Sequence, residues 1–180
     1  ISSIIMKKSL SKGFTLLELL TVIAIIGLLA SVVAVSINTS RTKARDSQRI
    51  NDLRQIRIAL ELYYSENGYY PPAPCGYDCN GYFSSNTPEW ATLASYLSPY
   101  IATLPVDPKN TGTHPWTVNE FTYTYGNVGR YTYPSQYDLT TKFEASNNPN
   151  SCGVMNHTFY FNNTMSWCGS YSVDLYEMSP

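Results

Sequence analysis

From Phe14 to Ile37 the chain is apolar at almost every position, "FTLLELLTVIAIIGLLASVVAVSI", with a single carboxylate, Glu18, near its start. A run without a polar face predicts a helix surrounded by apolar material on all sides. Its 24 positions rise about 36 Å as a helix, enough to cross a hydrocarbon core of about 30 Å. From Asn38 the pattern changes. Ile50, Leu53, Ile56, Leu60 and Tyr63 or Tyr64 recur every three or four positions, which predicts one buried face of an amphipathic helix. Arg45, Asp46, Arg49, Asp52, Arg54 and Arg57 fall on the other positions, where a solvated face is expected. Asn67 and Gly68 suit a helix C-terminus, and Pro71 and Pro72 forbid continuation. The two patterns together predict one helix from about Phe14 to Ser65, roughly 75 Å long.

Past Pro72 the texture is of loops and short elements. "CGYDCNGYFSSNTPEW" reads as a loop. "WATLASYLSPYI" reads as a short helix begun by Thr87, Pro88 and Glu89, with Trp90, Leu93, Leu97 and Ile101 facing inward. "LPVDPKNTG" reads as a turn-rich connector. The segments "EFTYTYG", "GRYTYP", "QYDLTTKFE", "HTFYF" and "YSVDLYE" alternate Tyr and Thr with apolar residues between Gly, Pro and Asn, predicting a small antiparallel sheet. The fold class is therefore α+β: a long amino-terminal helix, half hydrophobic and half amphipathic, packed on a small antiparallel head. The expected boundaries are 14–37 for the apolar helix, 38–66 for the amphipathic helix and 67–180 for the β-rich head, with residues 1–13 ahead of them.

Charge separates the two halves more sharply than the net value of −1 suggests. Through Arg57 there are nine Lys/Arg against three Asp/Glu; from Ile58 onward there are three against ten. An acidic head is a poor platform for phosphate backbones, so no nucleic-acid site is expected. The four cysteines fall into two local pairs by spacing, Cys75 with Cys79 and Cys152 with Cys168. Two disulfides are the favoured reading, and they place the head outside the cytoplasm; four cysteines allow three connectivities. Zinc and reduced core thiols are the alternatives, zinc being disfavoured by a sixteen-residue gap in the second pair and by only two histidines in the chain.

Glu18 is the feature that demands an explanation, because an ionised carboxylate in hydrocarbon costs several kcal/mol unless it is paired. The undemanding reading is that it reaches the interface by snorkelling. The surrounding residues favour another. Met6 reads as a start, with residues 1 to 5 as upstream read-through, followed by Lys7, Lys8, Lys12, Gly13, the aromatic Phe14 and the spaced Glu18. "KGFTLLELLTVIAIIGLLA" resembles the class III signal of type IV pilins and related pseudopilins, and the exit "NGYYP" from the helix is similar to theirs. The resemblance implies that residues 1–13 are a leader removed by a prepilin peptidase cutting between Gly13 and Phe14, that the new amine is methylated, and that Glu18 meets that amine during assembly. Thr15 and Thr21 are expected to be ordinary helix-surface residues.

The head sequence "YLSPYIATLPVDP", "YTYG" and "YDLTTKFE" resembles the major pseudopilin of type II secretion, in which the loop after the last of these helps hold a structural calcium. Asp138 and Glu144 are the candidate oxygen donors here, but "EASNNPN" lacks the acidic, glycine-rich character that loop needs. No cofactor is expected. No catalytic constellation surrounds His114 or His157, and no phosphate-cradling loop appears. The tyrosines read first as half-buried strand residues with wet hydroxyls, and secondarily as a glycan-binding patch; the Asn156 and Asn162 sequons read as chance matches. The resulting expectation is a filament subunit, not an enzyme. It is inserted in the inner or cytoplasmic membrane as a precursor, processed by the peptidase, and polymerised with itself by an assembly platform into an extracellular or periplasmic filament. A pilus is the first reading and a pseudopilus the second; an anchored binding or enzymatic head is the third.

Overall fold

A computed structural model describes residues 13–73, 82–126, 137–152, 160–161, 165–166 and 175–178. The elements run α1 (Leu16–Asn67), β1 (Tyr82–Ser84), α2 (Trp90–Leu97), β2 (Thr124–Gly126), β3 (Asp138–Lys142), β4 (Tyr160–Phe161), β5 (Met165–Ser166) and β6 (Leu175–Met178). The chain divides into two compact units, residues 1–40 and 41–180.

The first unit holds the opening turns of α1. Phe14 is 84% exposed and Leu16, Leu17, Leu28 and Val32 are similarly bare, so the apolar surface has no partner within this unit. Its hydroxyls turn onto backbone carbonyls: Ser31 Oγ donates to Leu28 O at 2.7 Å and Ser40 Oγ to Ser36 O at 2.9 Å. That arrangement lets polar side chains sit in an apolar helix without stranded donors.

The second unit holds the rest of α1 and the head. A four-stranded antiparallel sheet runs in the order β1-β2-β3-β6, with Phe83 opposite Tyr125, Tyr125 opposite Leu139, and Leu139 opposite Met178. β4 and β5 form a separate antiparallel pair. Leu53, Ile56, Leu60 and Tyr63 of α1 join Phe83, Leu93, Leu97, Tyr123, Tyr125 and Leu139 in one core, in agreement with the helical spacing. Each such fully buried apolar side chain contributes about 1.5–3 kcal/mol relative to exposure.

α1 ends as its sequence predicts. Gly68 adopts φ 75°, the left-handed geometry that costs glycine little, and its N–H donates to Tyr64 O at 2.8 Å. Asn67 Nδ2 donates to Tyr63 O at 2.8 Å. In α2 Trp90, Leu93 and Leu97 are buried, while Ile101 is half-buried. No side chain caps α2: Glu89 at the N-cap position is itself helical, and Thr87 Oγ1 donates backward to Ser84 O at 3.0 Å.

Two expectations are corrected. The segment around Tyr82 to Ser84 is a strand, not loop, because Phe83 enters the core and its backbone pairs with β2. Tyr123, just ahead of β2, and Tyr125 within it are core residues whose hydroxyls meet protein partners: Tyr123 donates to Asp52 at 2.8 Å and Tyr125 to Pro71 O at 2.7 Å. The expected strand at 129–134 lies outside the described residues.

Candidate functional site

The helix start is built by two side chains that serve each other. Glu18 accepts at one carboxylate oxygen from Thr15 N–H at 2.8 Å and from Thr15 Oγ1 at 2.7 Å, while its own N–H donates to Thr15 Oγ1 at 3.2 Å. This is a reciprocal capping box: the side chain three positions into the helix satisfies the backbone donor before it, and the capping hydroxyl returns the favour. A negative charge there is further stabilised by the helix dipole. Thr21 Oγ1 donates to Glu18 O at 3.0 Å. Thr15 is therefore the N-cap, not an ordinary surface residue, and the spacing T-x-x-E ahead of an apolar run was the available signal. Gly13 and Phe14 precede the helix, exposed, and a Cβ on Gly13 would meet no neighbour within 4 Å.

A second polar constellation lies within the head. Asp46 and Arg49 are buried and Asp52 is at the edge of burial, where a solvated face was expected; Arg54 and Arg57 are exposed as expected. Arg49 is 0% exposed. Its Nε and Nη2 grip Asp107 at 2.7 and 2.9 Å, and its Nη1 donates to Asp46 at 2.8 Å and Glu144 at 2.9 Å. Phe121 lies under the guanidinium at 5.1 Å, a cation–π contact. Arg45 makes a two-pronged contact to Glu144 at 2.6 and 2.7 Å, and Lys109 Nζ reaches the same carboxylate at 2.7 Å. Asp46 in turn accepts from Glu144 N–H at 2.9 Å and Ala145 N–H at 3.0 Å. Periodicity alone misses this cluster because the partners are 58 and 95 residues away in sequence.

Burial opposes the charge on Arg49, but the hydrogen bonds and charges of Asp107 and Glu144 outweigh it and hold its pKa above the ordinary range. Burial likewise raises Glu144, yet hydrogen bonds from Arg45, Lys109 and Arg49 dominate and hold its pKa at about 2. Asp52 is pushed up by burial, which exceeds the lowering by Tyr123 and Gln48. A depressed carboxylate stabilises the fold fully above its unfolded pKa and loses that contribution as pH falls toward the folded value. Head stability should therefore be flat from neutral pH to about 5 and fall by about 2 kcal/mol between there and pH 2, less in Glu144→Gln. Urea titrations at stepped pH measure it; identical acid limbs in both proteins would refute it.

Among the cysteines Cys152 is disulfide-bonded, and Cys75, Cys79 and Cys168 lie outside the described residues. Asp138 opens β3 in a buried position, six residues ahead of the cation-bound Glu144. His114 Nδ1 lies 2.8 Å from Thr113 Oγ1 and its ring is 4.8 Å from Trp116, a structural setting; His157 lies outside the described residues.

An α+β head carried on a helix that is long and apolar enough to cross a membrane, with one capped carboxylate at its start, defines a pilin-type structural subunit. Residues 8–34 match the prokaryotic N-terminal methylation motif. The chain is 34% identical over 103 residues to type II secretion system core protein G of Aeromonas hydrophila, covering 57% of this chain and 71% of the relative. It is also 34% identical over 99 residues to the protein of the same name from Escherichia coli, covering 54% and 66%, and 34% identical over 105 residues to that of Klebsiella michiganensis, covering 57% and 71%. No solved structure matches. The chain belongs to the type IV pilin and pseudopilin family.

Proposed function

We propose that this chain is a structural subunit of a type IV pilus-like filament, cut after Gly13 by a prepilin peptidase, methylated at Phe14 and polymerised through the apolar start of α1. The carrying observation is the pairing of a bare apolar helix with a single carboxylate held at its first turn. Copies packed along their helices would cover the apolar surface, and a freed amino group on Phe14, its own or a neighbour's, would be the natural counter-charge of Glu18 four residues on. Heterologous, non-closing contacts of that kind generate a helical fibre. The membrane holds the precursor with its head outside the cytoplasm, and an assembly platform supplies the energy; the chain itself performs no catalysis.

A second reading, the major pseudopilin of a type II secretion system, is favoured by the names of the relatives above. Mechanical shearing of cells separates the two, since pilus subunits come off as filaments and pseudopilus subunits stay cell-associated. The processing step is tested by the mass of the amino-terminal peptide after coexpression with a prepilin peptidase. The expected result is a new amino terminus at Phe14 bearing one methyl group. An intact leader would overturn the proposal and leave Glu18 as an interfacial charge on an ordinary anchor.

A further inference from the structure

The kinship with pseudopilins raises the question of what holds the loop after β3, where a structural calcium is implied. A hard divalent cation takes six or more oxygen ligands, most of them carboxylate or carbonyl. The loop "EASNNPN" offers one acid, Glu144, and its oxygens are already engaged. One accepts from Arg45 Nε at 2.6 Å and Arg49 Nη1 at 2.9 Å; the other accepts from Arg45 Nη2 and Lys109 Nζ, each at 2.7 Å. The neighbouring acids are equally engaged. Asp46 binds the loop's own amides at Glu144 and Ala145 as well as Arg49. Asp107 holds Arg49 by both oxygens and accepts from Lys109 N–H at 2.8 Å. Further along the loop, Asn148 Oδ1 accepts from Asn150 N–H at 3.0 Å and Asn148 O accepts from Ser151 N–H at 2.9 Å. Three cations, Arg45, Arg49 and Lys109, face three anions, Asp46, Asp107 and Glu144, so the cluster balances without an added ion. Among the described residues no group of three or more His, Cys, Asp or Glu is arranged to hold a metal. The donor set here does not fit calcium.

We propose that in this chain the protein's own cations replace the metal: Arg45, Arg49 and Lys109 converge on Glu144 and clamp the loop after β3 to α1, so that the head keeps its fold without a divalent ion. The physical distinction is one of supply. A metal-clamped head loosens when the surrounding calcium is withdrawn, because the bound ion's contribution follows its concentration. A clamp made of side chains cannot be removed by dilution or chelation. The proposal does not depend on which kind of filament the subunit joins.

The test is thermal unfolding of the full chain in detergent, followed by circular dichroism in millimolar calcium and again in excess chelator. The expected midpoints agree within about 1 °C, against the several degrees that a saturated structural ion would contribute. Glu144→Gln should lower the midpoint by several degrees, and by the same amount in both media. A rise of several degrees on adding calcium to the unmodified chain would overturn the proposal. So would a Glu144→Gln loss that appears only in calcium, because Glu144 would then be acting as a metal ligand.

Discussion

Arg49→Met should cost the head about 3–5 kcal/mol, because it leaves the buried Asp46 and Asp107 without the cation that pairs with them. Arg49 supplies both hydrogen bonds that cover the Asp107 carboxylate oxygens from the helix side, and one each to Asp46 and Glu144. Methionine fills much of the volume and can still lie on Phe121, so the loss isolates charge rather than packing. The same reasoning predicts that the cost is a property of the broken set, not of ion pairing as such. Adding Asp107→Leu to Arg49→Met should recover part of the loss, since two apolar side chains tolerate burial better than one unpaired charge. Urea unfolding of the single and double variants measures both, with Gln55→Ala on the exposed face as a control expected within about 0.5 kcal/mol of the parent. A single-variant loss under about 1 kcal/mol would mean that water reaches the acids.

Glu18→Ala should abolish filament formation while leaving the protein in the membrane fraction at normal level. The change removes a charge whose insertion cost is several kcal/mol, so insertion is if anything easier. It also removes the capping box, worth about 1 kcal/mol at a helix start. Glu18→Gln separates the two effects. A glutamine three positions into the helix can still accept from Thr15, so the cap is retained and only the charge is lost. If the carboxylate works as a counter-charge to an amine, the Gln variant fails to assemble as completely as Ala. If Gln assembles normally and Ala does not, the cap is the function and the charge is incidental. Filament yield against membrane-fraction yield for each variant decides between them.

What the sequence made legible was the part governed by local rules. The apolar run, the three-and-four spacing from Leu53 to Tyr63, and the Asn67-Gly68 exit follow from side-chain periodicity and backbone freedom, and they appear where expected. The charged stretch "ARDSQRINDLR" was misleading for a definite reason. A rule that sends charge to solvent ignores that Asp46 and Arg49 are one helical turn apart and meet acids and amides brought in from Asp107 and Glu144. Those partners sit in a connector and a strand-end loop, and only the fold makes them neighbours. β1 was missed because three residues carry too little alternation to read, and Phe83 declares itself only by its burial opposite Tyr125. Thr15 was within reach, since its spacing to Glu18 is a local motif.

The tethering of α1 in the head has a mechanical reading. The Arg49 cluster fastens the helix to the loops at Asp107 and Glu144, and further along Tyr70 and Tyr137 hydroxyls reach Glu61 while Tyr125 fastens the strand β2 to Pro71 just beyond the helix end. A tensile force along the helix would be shared among these fastenings rather than carried by one contact. Fixed at one place only, the same helix would peel from the sheet turn by turn under a much smaller pull.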